Sequence, residues 1–558
     1  MSTILTPVSL WSKFDSSLDV EPEVAASVET NGIRFDRVYL SGRAVGNGRV
    51  KIAAVFACDA QTPATETVLI FPDSCDTIDE GLLTLFVKRG YSAMMVDYRG
   101  DWKGCKFHTK YPSHISYANT TKCGRYKDFV DESADKTCWY EWVAIGIFAR
   151  KYIVQRTGSD KIAVLGIRDG GEVAWKLGVA DKFSCIIPVC AAGWKAYSGI
   201  SKYSQDEPEL NEERYRFIAG VDSQAYAPYV NCPVLMLCTT NDPQFDYDRA
   251  YDTLSRVNPE YSDDSVIAYS VKTNACIGVE SLEDVFLFLL NHLKNRQVFT
   301  PKPAEITVIA DEEENLVARV GFDGHGKVES CTTYLAEDFQ NAATREWFEC
   351  PLKNKISETE QEFYLNVFEK TTSVMVLSEV KYSNGFTVFS KMTVKKIGGI
   401  FRNMRCKSRV LYSNKSGADG FSVADVKTRA VGGIFVTEAA LLPRIVTKAK
   451  GVKGLYSVCG LETYRFNHPQ FAPQSGNALS IDVFCDKTAE VTLAFTDLAS
   501  GEVYTAVLSV IGGVWQSFIS ECDAFKNASG AVLPSFTGEM KLTIKCPVQY
   551  AINNVMWL

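Results

Sequence analysis

The sequence predicts an α/β domain built on a doubly wound parallel sheet, followed by two all-β sandwich domains. Short apolar runs alternate with helical segments through the first half of the chain, as in a parallel sheet with crossover helices. After the proline-containing stretch 299–303, the apolar period changes to two, which is typical of strands. We therefore place the domains at 1–298, 299–398 and 399–558, because 558 residues are too many for a single core.

Composition narrows the class of protein. Hydrophobic residues make up 46% and charged residues 23% of the chain, which excludes extensive disorder. The net charge of −8 argues against a nucleic-acid partner, since phosphate binding needs a positive surface. We see no long apolar run that predicts a membrane span and no leader-like N-terminus. The 17 scattered cysteines indicate reduced thiols, so we expect a cytoplasmic location.

The stretch 161–178 carries the most informative pattern. Apolar residues 162–165 predict a buried strand, glycines at 166, 170 and 171 predict a sharp turn, and 172–177 predict a helix. This arrangement is typical of a nucleophile elbow, in which Ser occupies the middle of G-x-S-x-G. The residue there is Arg168, whose guanidinium stays protonated and cannot attack a carbonyl.

The rest of the first domain follows the same alternation. The predicted helices are 78–89, 137–150 and 282–293, and the polar, aromatic segment 195–231 is expected to cap the carboxyl edge of the sheet. The predicted strands, besides the elbow strand, are 33–42, 50–57, 68–71, 92–97, 184–189, 233–238 and 265–271.

Residues 30–297 resemble the α/β-hydrolase fold, and acetyl-xylan-esterase and deacetylase-like members in particular. The resemblance rests on the leading strand pair, Asp97-Tyr-Arg-Gly100, the elbow glycines and Asn241-Asp242. It implies that Asp242 takes the position of the catalytic acid and that a histidine belongs in loop 272–278. That loop contains Ala275 and no histidine; the chain's histidines are His108, His114, His292, His325 and His468. With nucleophile and base both missing, we predict that this domain is catalytically inactive.

Several interpretations of the pocket stay open. Arg168 forms a salt bridge with Asp242, or it holds an anionic ligand together with the backbone N–H groups at the helix start, or it lies on the surface of some other α/β fold. Asp169 and Asp73 are further candidate binding residues of this pocket. Other candidates are interpreted more simply as packing or loop residues, namely Ser74, Cys75, Cys276, Trp139, Trp142 and Trp194, although the tryptophans could floor a sugar site. His108 and His114 accompany Cys105 and Cys123, but the spacing matches no common zinc pattern, so we expect no metal and no cofactor.

The two later domains are predicted from strand patterns. About seven alternating segments between 305 and 394 suggest an immunoglobulin-like sandwich. Many short strands after 399, among them 432–436 and 455–464, predict a jelly roll. This last domain resembles the galactose-binding-like jelly rolls used as carbohydrate-binding modules, on residues 479–483, 512–518, 523–525 and 552–558. The resemblance suggests a sugar site edged by Tyr464, Arg465, His468 and Phe471.

Three functions are compatible with the sequence. The preferred one is a non-catalytic binding or assembly protein whose partner is a carbohydrate or a small anionic molecule. The alternatives are a carbohydrate esterase or deacetylase with a displaced Ser or Cys nucleophile, needing His108 or His114 near Asp242, and a structural protein that self-assembles. The oligomeric state stays open.

Overall fold

A computed structural model describes residues 4–100, 104–112, 127–198, 200, 202–203, 207–242, 247–272, 276–338 and 341–558. Three regions are defined here by their elements. The α/β region contains the elements from Pro7 to His292, the middle β region those from Glu305 to Lys396, and the C-terminal β region those from Val410 to Trp557. None of the helices in these ranges is both long and apolar enough to cross a membrane.

One mixed sheet organises the α/β region. Its described strands lie in the order β1-β2-β3-β5-β4-β6-β7-β8-β9, with antiparallel pairs up to β3–β5 and parallel pairs from β5 onwards. The strands are β1 Glu23–Thr30, β2 Ile33–Val45, β3 Gly48–Asp59, β4 Thr67–Phe71, β5 Ser92–Asp97, β6 Ile162–Ile167, β7 Cys185–Val189, β8 Leu235–Thr239 and β9 Val266–Ser270.

Helices cover the sheet and complete an α/β-hydrolase-like fold, as predicted. The described helices are α1 Pro7–Trp11, α2 Glu80–Lys88, α3 Cys138–Thr157, α4 Asp169–Ala180, α5 Glu212–Gly220, α6 Ser223–Tyr226, α7 Tyr247–Leu254, α8 Pro259–Ser262 and α9 Val279–His292. The predicted strands and the helices α2, α3, α4 and α9 are all present. Strand β1 was not predicted, because nearly all of its side chains are exposed and it shows no apolar alternation.

The middle β region forms two sheets that face each other. One has the order β10-β11-β15-β14, and the other has the order β13-β12-β16-β17, with β18 on β16. Their apolar sides, including Ala318 and Val320 from one sheet and Val374 and Val376 from the other, share one core. The bounds are β10 Glu305–Ala310, β11 Leu316–Gly321, β12 Val328–Glu337, β13 Phe348–Cys350, β14 Leu352–Ser357, β15 Glu360–Tyr364, β16 Ser373–Tyr382, β17 Thr387–Phe389 and β18 Thr393–Lys396.

The C-terminal β region is a second sandwich. Its sheets are β21-β22-β29-β24-β27, with β19 on β29, and β20-β23-β28-β25-β26. The predicted β-sandwich class is therefore confirmed. The bounds are β19 Val410–Tyr412, β20 Ser422–Val423, β21 Arg444–Thr447, β22 Lys453–Tyr456, β23 Leu461–Thr463, β24 Leu479–Cys485, β25 Ala489–Asp497, β26 Val503–Val510, β27 Trp515–Ser520, β28 Met540–Lys545 and β29 Tyr550–Trp557.

Three strand predictions in the β regions were wrong. Segment 432–436 is a turn, because Gly432 and Gly433 both adopt positive φ, at 62° and 67°. Segment 455–464 is divided between β22 and β23, and segment 388–394, the last of the alternating segments predicted between 305 and 394, is divided between β17 and β18. In each case an apolar run crosses a turn that the alternation alone did not reveal.

The main core extends beyond the α/β region. Trp347 and Phe389 of the middle β region and Phe435 of the C-terminal β region are buried in the same cluster as the α/β residues. Both β regions therefore pack directly on the α/β region.

A capped elbow as the candidate functional site

Arg168 lies on a sharp turn between β6 and α4, where the elbow pattern places it. Its backbone has φ 52° and ψ −112°, a conformation in the left-handed half of the map that an L-residue adopts with strain. A Cβ on Gly166 would lie 2.0 Å from the carbonyl oxygen of Gly170, and one on Gly170 would lie 2.2 Å from that of Phe71. The glycines are therefore required by space, as a nucleophile elbow demands.

Arg168 forms an ion pair with Asp242, which lies just beyond the end of β8. Nη1 of Arg168 is 3.0 Å from Oδ2 and 3.3 Å from Oδ1 of Asp242, whose side chain is 2% exposed. Burial disfavours the cation, but the neighbouring Cys190 and Asp242 outweigh it and raise the pKa of Arg168 above its ordinary value. The salt bridge that the sequence suggested is present, and the carboxylate of Asp242 compensates the permanent charge of Arg168.

Asp169, the residue after Arg168, forms ion pairs with two lysines. Its carboxylate contacts Nζ of Lys127, lies 2.9 Å from Nζ of Lys195 and accepts a hydrogen bond of 2.5 Å from Oγ of Ser74. Burial alone would raise the pKa of Asp169, but Lys195 and Lys127 bring it well below the usual range. Asp169 is thus an ionised member of a buried charge cluster.

Asp73 and Cys75 lie beside this cluster, and burial is the largest influence on the pKa of each. Burial and the charge of Asp169 raise the pKa of Asp73. The thiol of Cys75 is 3.3 Å from Oδ2 of Asp73, and burial together with Asp73 raises the pKa of Cys75. A reactive thiol needs a lowered pKa, so this environment does not favour Cys75 as a nucleophile.

The tryptophans proposed as a sugar floor have different environments. Trp139 and Trp142 are fully buried in the core. Trp194 is half-buried, its Nε1 donates to Oγ1 of Thr253 at 2.9 Å, and Arg249 and Arg256 lie over its ring. Trp139 and Trp142 therefore serve packing, and the ring of Trp194 contacts Arg249 of α7 and Arg256 just beyond the end of that helix.

The four described histidines each have neighbours of their own. The ring of His108 contacts the carbonyl of Cys105, His292 meets Phe288 edge to face, His325 contacts Asp323, and His468 contacts Glu337. Ala275, His114 and Cys123 lie outside the described residues. Among the described residues, no group of His, Cys, Asp and Glu is arranged to hold a metal ion.

The two β regions cover the sheet edge next to the elbow, which the sequence did not predict. Nδ2 of Asn241, the neighbour of Asp242, donates to the carbonyl of Arg345 in the middle β region at 2.7 Å. The turn of the C-terminal β region docks from the other side, where the N–H of Gly432 donates to Asp79 at 2.7 Å. The consecutive glycines at 432 and 433 were the one sequence signal that marked this turn.

Backbone pairing fixes the same turn on the α/β region. Ile277 donates to the carbonyl of Ile434 at 2.9 Å and accepts from the N–H of Val436 at 3.0 Å. A Cβ on Gly432 would lie 2.8 Å from Leu82 and 3.4 Å from Ile167, the residue before Arg168. The turn therefore packs directly against the elbow strand.

The residues proposed to edge a sugar site lie instead between the two β regions. Arg465 is buried and pairs with Glu346 at 2.7 Å and with Asp419 at 3.1 Å. His468 is buried and lies 2.9 Å from Glu337. Phe471 is buried too, and Tyr464 lines a narrow crevice beside Arg345. Arg465 and His468 thus hold an interface.

Comparison with known proteins returns similar folds and no family. No protein-family profile and no curated protein matches this chain. An acetyl xylan esterase from Paenibacillus sp. R4 has 14% identity and a TM-score of 0.37, covering 51% of this chain and 92% of its own. Acetyl xylan esterase 1 from Thermoanaerobacterium sp. has 14% identity and a TM-score of 0.38, covering 52% and 96%.

A cold-adapted esterase from an Arctic intertidal metagenomic library gives 14% identity and a TM-score of 0.31, covering 50% of this chain and 100% of its own. Similarity at this level does not indicate a shared activity. The fold assignment of the α/β region stands on its own strand order and elbow.

Proposed function

We propose that this protein is a non-catalytic member of the α/β-hydrolase fold that acts in binding or assembly. In this proposal the α/β region is a platform on which the two β regions are mounted. The observation that carries it is the ion pair between Arg168 and Asp242, at the positions of nucleophile and acid.

The chemistry of acyl transfer supports the proposal. Such a reaction needs a nucleophile, a base that takes its proton and an acid that orients the base. Arg168 cannot be the nucleophile because its guanidinium has no free electron pair to attack with at ordinary pH. Asp242 is turned towards that cation, and the four described histidines have the separate neighbours given above.

The capping of the sheet edge also supports a platform role. A substrate of an α/β sheet reaches the carboxyl ends of its strands. Here that edge contacts Arg345 from one side and Gly432 from the other. Contacts that would obstruct a substrate instead fix the β regions in place.

A carbohydrate is the ligand class that we propose for the C-terminal β region. The anionic alternative at Arg168 has less support, because Asp242 already supplies a negative charge there. Since Arg465 and His468 face carboxylates within an interface, we look for the sugar site elsewhere on that sandwich.

Hydrolysis assays on the full chain test the non-catalytic proposal. We expect p-nitrophenyl acetate and acetylated xylo-oligosaccharides to show no turnover above buffer, and fluorophosphonate and iodoacetamide to label no α/β residue stoichiometrically. Turnover that disappears in Ser74→Ala or Cys75→Ala would contradict the proposal and favour an esterase with a displaced nucleophile. Sedimentation equilibrium separates a binding protein of defined mass from a self-assembling structural protein.

A further inference from the structure

A cleft of about 370 Å³ lies on the outer face of the C-terminal β region. None of its lining residues is among those described above as contacting the other two regions. Its lining includes Trp515, Asp482, Ser517, Asn554 and Lys450. The turn between β21 and β22 forms one wall and the turn before β27 forms the other. All of these residues belong to the described part of the chain.

Strand alternation directs these side chains outwards. On β24, Leu479, Ile481 and Val483 belong to the sandwich core, so Asp482 and Phe484 face the opposite side. The neighbouring strand β27 is in register with them: Asp482 lies opposite Ser517, and Phe484 lies opposite Trp515. On the outer face of the sheet, Trp515 and the buried Phe484 therefore lie next to the polar pair of Asp482 and Ser517.

Trp515 extends across the sheet and forms the floor of the cleft. Its ring centroid is 5.7 Å from that of Phe484, at an interplanar angle of 47°. A Cβ on Gly454, in β22, would lie 2.7 Å from Cη2 of Trp515. Glycine at 454 thus leaves the space in which the indole lies against the strands.

The polar side of the cleft is fixed in advance. Oδ1 of Asp482 accepts from Oγ of Ser517 at 2.5 Å, and Oδ2 accepts from Nδ2 of Asn554 at 2.6 Å. Each carboxylate oxygen keeps a further lone pair for a ligand hydroxyl. The orientation of Asp482 is therefore set before any ligand binds.

Two non-glycine residues of the lining have left-handed backbones. Asn554 has φ 47° and Lys450 has φ 60°. Asn tolerates this conformation, but Lys adopts it at a cost of roughly 1–3 kcal/mol. Lys450 and the following Gly451, whose φ is 76°, lie in the turn that joins β21 to β22, and this turn places Lys450 at the wall of the cleft.

We propose that this cleft binds one pyranose ring of a neutral saccharide. The apolar face of the ring stacks on Trp515, while adjacent hydroxyls donate to Asp482 and accept from Asn554 and Lys450. The carboxylate of Asp482 disfavours an anionic sugar in the same place. This inference rests on the proposed function, because it names the ligand site of the same binding role.

Titration of the full chain with oligosaccharides tests the site. The probes are cellohexaose, xylohexaose and mannohexaose, with tetragalacturonate as the anionic comparator, and the readouts are calorimetry and tryptophan fluorescence. We expect at least one neutral probe to bind and tetragalacturonate to bind more weakly. Trp515→Ala should weaken binding at least about tenfold, and Asp482→Asn should weaken it less, since it removes charge and one acceptor.

Ile519→Ala is the matched control, because Ile519 lies on the same strand and the same outer face, 65% exposed, and outside the cleft lining. It should bind as the unsubstituted chain does. Trp515→Phe, which keeps an aromatic ring, should retain part of the affinity if Trp515→Ala proves to fold poorly by near-ultraviolet circular dichroism.

Failure of all three neutral probes to bind, or equal affinity in Trp515→Ala, would overturn the site. Either result, with the esterase assays blank, leaves the non-catalytic proposal intact. Conversely, ester turnover by a protein that still binds sugar through Trp515 would contradict the non-catalytic proposal and leave the sugar site intact.

Discussion

Nη2 of Arg465 lies 2.7 Å from Oε1 of Glu346, and both side chains are buried between the C-terminal and middle β regions. Arg465 also reaches Asp419, which contacts Lys272 of the α/β region. Four alternating charges thus connect all three regions. Because a buried charge that loses its partner is costly, this network favours one relative arrangement of the regions.

Arg465→Ala is expected to destabilise the protein by about 3–5 kcal/mol, since it leaves Glu346 without its buried guanidinium. We also expect the calorimetric transition to broaden or divide, because the contact between the β regions is weakened. Arg444→Ala is the control, as Arg444 is exposed and donates a hydrogen bond to the carbonyl of Ala440 within its own region. Equal unfolding profiles for the two variants would contradict the interface role.

Arg168→Ser restores the usual residue of a nucleophile elbow and should still give no esterase activity. A serine at 168 would lack an activating base, and Asp242 would lose its buried cation, so we expect a loss of about 3–5 kcal/mol in urea unfolding. The double variant Arg168→Ser with Asp242→Asn should recover part of that loss by removing the unpaired charge. Hydrolysis of p-nitrophenyl acetate by the single variant would show that a base is present after all.

The elbow and the alternation of strands and helices could be predicted because their signals are local. Glycines at 166, 170 and 171 and the apolar run before them specify a turn whose geometry depends on a few adjacent residues. The environment of Arg465 could not be predicted in this way. Its partner Glu346 is 119 positions away, and nothing near Arg465 in the sequence distinguishes a buried ion pair from an exposed sugar-binding edge.

The docking turn at Gly432 is a second feature that local sequence signals could not predict. Ile434 and Val436 look like alternate residues of a strand, but two consecutive left-handed glycines turn the chain towards Ile277. The surface that receives the turn comes from residues more than a hundred positions earlier, so only the folded chain brings them together.

Gly432→Ala should loosen this docking. Its φ is 62°, and the added Cβ would lie 2.8 Å from Leu82. Gly417→Ala is the matched control, because Gly417 has φ 63° and nothing lies within 4 Å of the added Cβ. Both variants place an alanine at a positive φ, and only Gly432→Ala also brings the added Cβ against Leu82. We expect Gly432→Ala to be less stable and to be cut faster near the turn by trypsin; equal stability and cleavage would show that the turn does not depend on this contact.

Glu379 gives the fold a pH-dependent stability that can be tested by one isosteric change. Burial, and next the charge of Glu280, raises the pKa of Glu379 from 4.5 to about 7, although the hydroxyl of Tyr334 donates to it at 3.1 Å. The folded state therefore binds a proton more tightly than the unfolded chain does. Its contribution to stability is present below the unfolded pKa of about 4.5 and is lost as the pH rises through about 7.

Glu379→Gln keeps the shape of the side chain and its acceptor for Tyr334 but removes the titration. We expect the unfolding free energy of the unsubstituted protein, relative to this variant, to fall by up to about 3 kcal/mol between about pH 5 and about pH 8. Urea unfolding across that range measures the difference, and Glu358→Gln, at an exposed position of the same region, should follow the unsubstituted protein. If the difference in unfolding free energy between the two proteins does not change with pH, Glu379 has the same pKa in the folded and unfolded chains. Burial and the neighbouring charge of Glu280 would then not raise its pKa, and the prediction would be wrong.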